Sequence, residues 1–177
     1  MKQGYVQVYT GNGKGKTTAA IGLAIRSLGA GFSVYLGQFI KGMKYSEIVM
    51  FKKLSEELGK SRLELHQYGR GCFIRREPTE EDKKLAQEGL SQALAAMTSG
   101  RFQLVILDEI NVALHLGLLN EQEVLSFVEA RPQQVELVLT GRYAPHALLD
   151  RADLVTEMRE IRHYYSKGVE ARRGIER

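Results

Sequence analysis

The chain has 177 residues, 44% hydrophobic and 26% charged, with a formal net charge of +4 and a pI near 9.2. That length fits one domain, residues 1–177, able to bury its own core, and the mild positive charge suits an anionic ligand while giving no case for nucleic acid. With one cysteine, Cys72, neither an intrachain disulfide nor a Cys-based zinc site can form, and no apolar run approaches the roughly 18–20 residues of a membrane span.

The N-terminus passes directly into a β-rich stretch, Tyr5–Tyr9, and does not read as a signal peptide, so a reducing cytoplasm is the expected location. A glycine-rich loop follows, then apolar residues at helical spacing from Thr17 to Leu28. Ser33–Phe39 reads as the second strand, Ser46–Leu58 as a helix and the alternating Leu63–Tyr68 as the third strand. Thr79 caps a helix that opens with Glu80, Glu81 and Asp82 and runs to about Met97. Phe102–Leu107 is short, mostly apolar and fits a buried strand; Glu121–Ala130 is helical and stops before Pro132. Val135–Leu139 reads as a strand, Pro145–Arg151 as a short helix and Leu154–Ile161 as a last strand. Strand and helix alternate throughout, which predicts an α/β domain: three layers around a mostly parallel central sheet of about six strands. Ligands bind at the carboxyl ends of the strands in such sheets.

The loop after the first strand carries the chemistry. Thr10-Gly11-Asn12-Gly13-Lys14-Gly15-Lys16-Thr17-Thr18 departs from G-x-x-x-x-G-K-[ST] only in having Thr10 for the leading glycine. Glycines let backbone N–H groups turn around an anion, and a helix N-terminus adds partial positive charge. The candidate phosphate-binding residues are Gly11, Asn12, Gly13, Lys14, Gly15, Lys16, Thr17 and Thr18, with Lys16 reaching the outer phosphates and the Thr17 hydroxyl on Mg²⁺. Leu104-Val105-Ile106-Leu107-Asp108-Glu109 ends a buried strand in two acids, the pattern of a Walker B element, and either acid could meet the metal. Thr140-Gly141-Arg142 follows another strand and brings Arg142 towards the same edge, for a phosphate or a second substrate.

Nucleotide binding does not name the reaction. The chain has no Asn-Lys-x-Asp for guanine and cannot build a cysteine-rich zinc element, but another P-loop kinase or NTPase, or a non-catalytic binding regulator, fits the same motifs. The whole set resembles the P-loop ATP:corrinoid adenosyltransferases. The resemblance covers nearly the whole chain: the Thr10–Ala20 loop, Gln38-Phe39-Ile40-Lys41-Gly42, Leu107-Asp108-Glu109, Ala130-Arg131-Pro132, Thr140-Gly141-Arg142, Ala152–Glu157 and the tail His163–Glu176. It implies a P-loop NTPase fold of RecA-like type. It also implies transfer of the 5′-deoxyadenosyl group of ATP to a Co(I) corrinoid with release of triphosphate, in adenosylcobalamin biosynthesis or salvage. Lys16 and Thr17 would be the catalytic residues, and Mg²⁺ would sit on Thr17, Asp108 and Glu109. Gln38, Phe39, Lys41, Cys72 and Phe73 would line the corrinoid, a flavoprotein would supply electrons, and the enzyme would be a homodimer. Two features depart from some members: no Phe-x-Trp pair stands at Cys72–Ile74, and no extra helix precedes the first strand.

Overall fold

The computed structural model describes residues 1–43, 45–71 and 77–176. In chain order its elements are β1 (Val6–Thr10), α1 (Lys16–Gly29), β2 (Val34–Lys41), α2 (Ser46–Leu58), β3 (Leu63–Gly71) and α3 (Glu80–Thr98). Then come β4 (Leu104–Asp108), α4 (Ile110–His115), α5 (Glu121–Glu129), β5 (Glu136–Thr140), α6 (His146–Leu149) and β6 (Leu154–Glu157), with a 3₁₀ turn at Tyr164–Lys167. The six strands form one sheet in the order β3-β2-β4-β5-β1-β6, and every pairing is parallel.

Strand alternation builds the three layers. Val34 and Leu36 of β2, Leu104 and Ile106 of β4, and Val138 of β5 pack with Ala20 and Ala24 of α1 and Phe51 of α2. The odd-numbered neighbours Tyr35, Phe39, Val105, Leu107, Leu137 and Leu139 pack on the other face with Ala86, Ala93 and Met97 of α3 and Val124, Leu125 and Phe127 of α5. Both faces of β4 are therefore buried, which is why it reads as an unbroken apolar run rather than an alternating one. Small residues on α1 let it lie close to the sheet, so its N-terminus arrives directly over the carboxyl edge.

Three local signals explain the helix starts. Thr79 caps α3: its hydroxyl accepts from the Asp82 N–H while the Asp82 carboxylate accepts from the Thr79 N–H. Asn120 and Glu123 make the same reciprocal pair on α5. Gly15 starts α1 from the left-handed region, φ 119°, without any side-chain cap. Several elements differ from the sequence reading: β2 and β3 run on to Lys41 and Gly71, and a 3₁₀ turn forms at Tyr164–Lys167. Residues 110–115 form a short helix the pattern did not reveal, and β6 ends at Glu157, not Ile161, because the chain then bends across the glycine loop. There the Met158 N–H donates to Thr10 O, and Met158 O accepts from the Gly13 N–H.

Candidate active site

Parity along the strands decides which side chains meet. Gln38, Asp108 and Thr140 share the even-numbered face that packs on α1, at the carboxyl ends of the adjacent strands β2, β4 and β5. Gln38 stands directly opposite Asp108 in the β2–β4 register. Thr17, in the first turn of α1, comes down onto the same point. Asp108 consequently accepts four hydrogen bonds. Thr17 Oγ1 (2.8 Å) and Thr140 Oγ1 (2.7 Å) donate to Oδ1; Gln38 Nε2 (3.0 Å) and Lys41 Nζ (2.9 Å) donate to Oδ2. Burial alone would push this carboxyl up, but the Lys41 ammonium and the donated hydrogen bonds hold it below the ordinary carboxylate range. Glu109 behaves oppositely: burial and the Asp108 charge push it up, against the pull of Lys41 and Lys16.

Lys41 reaches this cluster through a backbone irregularity. Gln38 and Lys41 are three apart, so on a regular strand they would face opposite sides. The β2–β3 register shifts between Phe39 and Lys41, and Ile40 sits at φ 68°, a conformation β-branched residues rarely adopt. The bulge leaves Phe39 and Ile40 in one core cluster and returns Lys41 to the side of Gln38. It also presses the strands together: a Cβ on Gly42 would lie 2.2 Å from Gly69 O, and one on Gly69 would lie 2.3 Å from Ile40 O.

The glycine loop is braced from outside. Lys16 is buried and its ammonium donates to Gly11 O and Gly13 O, both at 2.7 Å. Burial lowers its pKa, with Arg142 and Lys41 acting in the same direction and Glu109 and Asp108 against it. Arg142 is thus within electrostatic reach of Lys16 although its side chain is exposed. Asn12, Lys14 and Thr18 are exposed, and Lys14 Nζ donates to Ile175 O at 3.1 Å. Gly11 and Gly13 are needed for a reason the motif does not state. A Cβ on Gly13 would lie 2.7 Å from Met158 O, and one on Gly11 2.5 Å. Gly13→Ala is expected to cost about 1–3 kcal/mol in denaturant unfolding. Gly22→Ala, on an exposed helix position with nothing within 4 Å, should instead be neutral or gain up to about 1 kcal/mol. Equal effects of the two would remove the tail as the reason.

The structure thus brings together Lys16, Thr17, Asp108 and Glu109 as expected from the sequence, with Arg142 at the margin. Gln38 and Lys41, expected at a corrinoid, point at Asp108, and Phe39 is fully buried against the ring of Tyr68. Cys72 and Phe73 lie outside the described residues. Three contributors carried no sequence assignment of this kind: the Thr140 hydroxyl, which also accepts from the Glu109 N–H (3.1 Å); Asn111, whose Nδ2 holds Gly141 O (3.1 Å); and Met158. The even parity of Thr140 with Val138 was the available signal for the first. Thr17, Asp108 and Glu109 present hard oxygens at one point, a donor set that fits Mg²⁺ alongside phosphate oxygens.

Residues 2–177 match the family described as ATP:corrinoid adenosyltransferase BtuR/CobO/CobP. The chain is similar to the corrinoid adenosyltransferase of Pseudomonas aeruginosa, 35% identical over 176 residues that cover 99% of this chain and 84% of that one. It is also similar to those of a Sinorhizobium species (34% over 177 residues, 99% and 81%) and Escherichia coli K12 (33% over 175 residues, 99% and 86%). A glycine loop, a buried acid under the first turn of its helix and full-length similarity converge on one assignment: the chain belongs to the ATP:corrinoid adenosyltransferase family.

Proposed function

We propose that this protein transfers the 5′-deoxyadenosyl group of ATP to the Co(I) centre of a corrinoid, releasing inorganic triphosphate. The observation that carries the reading is the 2.8 Å bond from Thr17 to Asp108, which ties the start of the loop's helix to the acid strand where a metal–triphosphate would sit. In this reaction the Co(I) electron pair attacks C5′ of the ribose, the Co–C bond forms and the C5′–O bond breaks. That bond's electrons leave with the triphosphate, and cobalt is formally raised to Co(III). Co(I) is itself the nucleophile, so no side-chain base is needed; the protein's tasks are alignment and stabilisation of the leaving group.

The loop N–H groups, Lys16 and Arg142 supply positive potential along the triphosphate, with Lys14 as a further cation at the rim. Thr17 and Asp108, with Glu109 beside them, would hold Mg²⁺, which when bound would neutralise charge developing on the phosphates. Thr140 and Gln38 keep the Asp108 carboxylate oriented by donating to both of its oxygens. Contact with the corrinoid is assigned to Cys72 and Phe73, which follow β3 in sequence. The same reading has a reduced flavoprotein generating Co(I), a homodimeric enzyme and a cytoplasmic setting in adenosylcobalamin biosynthesis or salvage. Among the described residues no helix is long and apolar enough to cross a membrane.

Anaerobic incubation with cob(I)alamin and MgATP tests the reaction. The expected outcome is the light-sensitive adenosylcobalamin spectrum with one triphosphate released per corrinoid. ADP release without a new Co–C bond, with cobalamin or a precursor corrinoid, would move the protein to kinase or ATPase chemistry.

A further inference from the structure

The three side chains assigned to the divalent ion already share a cation. Lys41 is 6% exposed, and its ammonium lies 2.9 Å from Asp108 Oδ2, 3.2 Å from Thr17 Oγ1 and 3.5 Å from Glu109 Oε1. An ammonium has three protons to donate and no acceptor, so it is suited to a pocket of oxygens. The ring of Tyr45, 5.7 Å away, adds a weakly favourable face. Nothing in a regular β2 would put Lys41 there; the bulge at Ile40, in a conformation unfavourable for isoleucine, does.

Charge balance gives this placement a consequence. Asp108 and Glu109 lie in the field of the ammoniums of Lys41 and Lys16, and the Arg142 guanidinium acts on Lys16 as well, so the two negative charges are fully matched by positive ones. A free divalent cation therefore meets a cluster without net negative charge, its two carboxylates already bridged by Lys41. A divalent ion held by Thr17, Asp108 and Glu109 would compete with the ammonium for their oxygens, and two cations sharing those oxygens would repel strongly in a buried setting.

We infer that Lys41 is a tethered stand-in for the divalent ion: it holds Thr17, Asp108 and Glu109 together in the nucleotide-free enzyme and excludes free metal until a triphosphate arrives. Phosphate oxygens then give the displaced ammonium a new anionic partner at the mouth of the same site. The consequence is ordered entry, with metal loading only as the metal–ATP complex. Lys41 is in this sense a positioning residue, and the inference rests on reading Thr17, Asp108 and Glu109 as the metal site.

Mn²⁺ binding to the full chain, followed by electron paramagnetic resonance with and without ATP, tests it independently of turnover. Wild type should bind Mn²⁺ with ATP and scarcely without it. Lys41→Met should bind free Mn²⁺ at least about tenfold more tightly than wild type, and Mn²⁺ should raise the melting temperature of the variant but not of wild type. Adding Asp108→Asn to the variant should abolish the gain. Lys41→Gln, which keeps N–H donors without charge, should behave alike and serves if the methionine variant folds poorly. If both variants bind free Mn²⁺ no better than wild type while wild type binds it with ATP, the metal site stands and the stand-in role falls. Strong binding of free Mn²⁺ by wild type, lost on Asp108→Asn, would overturn it equally. If Mn²⁺–ATP binding is indifferent to Asp108→Asn, the metal-site reading itself fails and takes the inference with it.

Discussion

Lys16→Ala is expected to lower kcat by about 10²–10³ while leaving the protein folded. Among the described residues the lysine's ammonium donates to two loop carbonyls, Gly11 O and Gly13 O. The bond to Gly13 O is buried and the one to Gly11 O partly so, and leaving these carbonyls without a donor should cost about 1–3 kcal/mol. The catalytic cost is larger because the leaving triphosphate gains charge only as the C5′–O bond breaks, in a site where a fixed cation needs no reorganisation. Two readouts separate the contributions. Denaturant unfolding reports the first, and single-turnover formation of adenosylcobalamin under anaerobic conditions reports the second. If instead ATP binding weakens and the single-turnover rate is unchanged, the lysine binds ground and transition states equally and does not drive the reaction.

Most of this architecture is written in short-range pattern. The strands of the sheet announce themselves as β-rich or apolar runs, and Thr79 with its three acids announces α3. The helix α4 is hidden for a physical reason: Ile110–His115 is six residues long, has no side-chain cap and starts from Glu109 in the left-handed region, so neither periodicity nor capping marks it. The end of β6 is set by the tail's bonds to Thr10 and Gly13, which no local pattern encodes.

The site divides in the same way. The proximity of Lys16, Thr17, Asp108 and Glu109 is legible because the glycine loop and the acid-ended strand are patterns of particular residue types at particular spacings. Gln38 and Lys41 are not legible as partners of Asp108. An odd spacing on a strand argues against a shared face, and only the bulge at Ile40 reverses that argument. The glycines of the loop answer to a second neighbour that the motif does not show. Their backbone freedom suits phosphate, but at Gly11 and Gly13 the absent Cβ is also the space occupied by Met158.

Asp108→Asn should be the most damaging single change to stability and abolish turnover together. Asparagine keeps an oxygen for Thr17 and Thr140 but turns an NH₂ towards Gln38 Nε2 and Lys41 Nζ, placing donors against donors and leaving a buried ammonium without its nearest charge. Breaking one partner of a buried pair costs about 3–5 kcal/mol; Glu109, 3.5 Å from the same ammonium, should hold the loss near the lower end. Combining Asp108→Asn with Lys41→Met removes the stranded charge, so much of the stability should return while turnover stays absent. The pH dependence has a definite sign. The folded Asp108 titrates below its ordinary value of 3.8, so its stabilisation is complete above that value and is lost as the pH falls towards the folded pKa. The gap in unfolding free energy between wild type and Asp108→Asn should therefore narrow on acidification below about pH 4. A gap that is constant with pH would mean the variant suffers from lost shape rather than lost charge, and the double variant would then recover nothing.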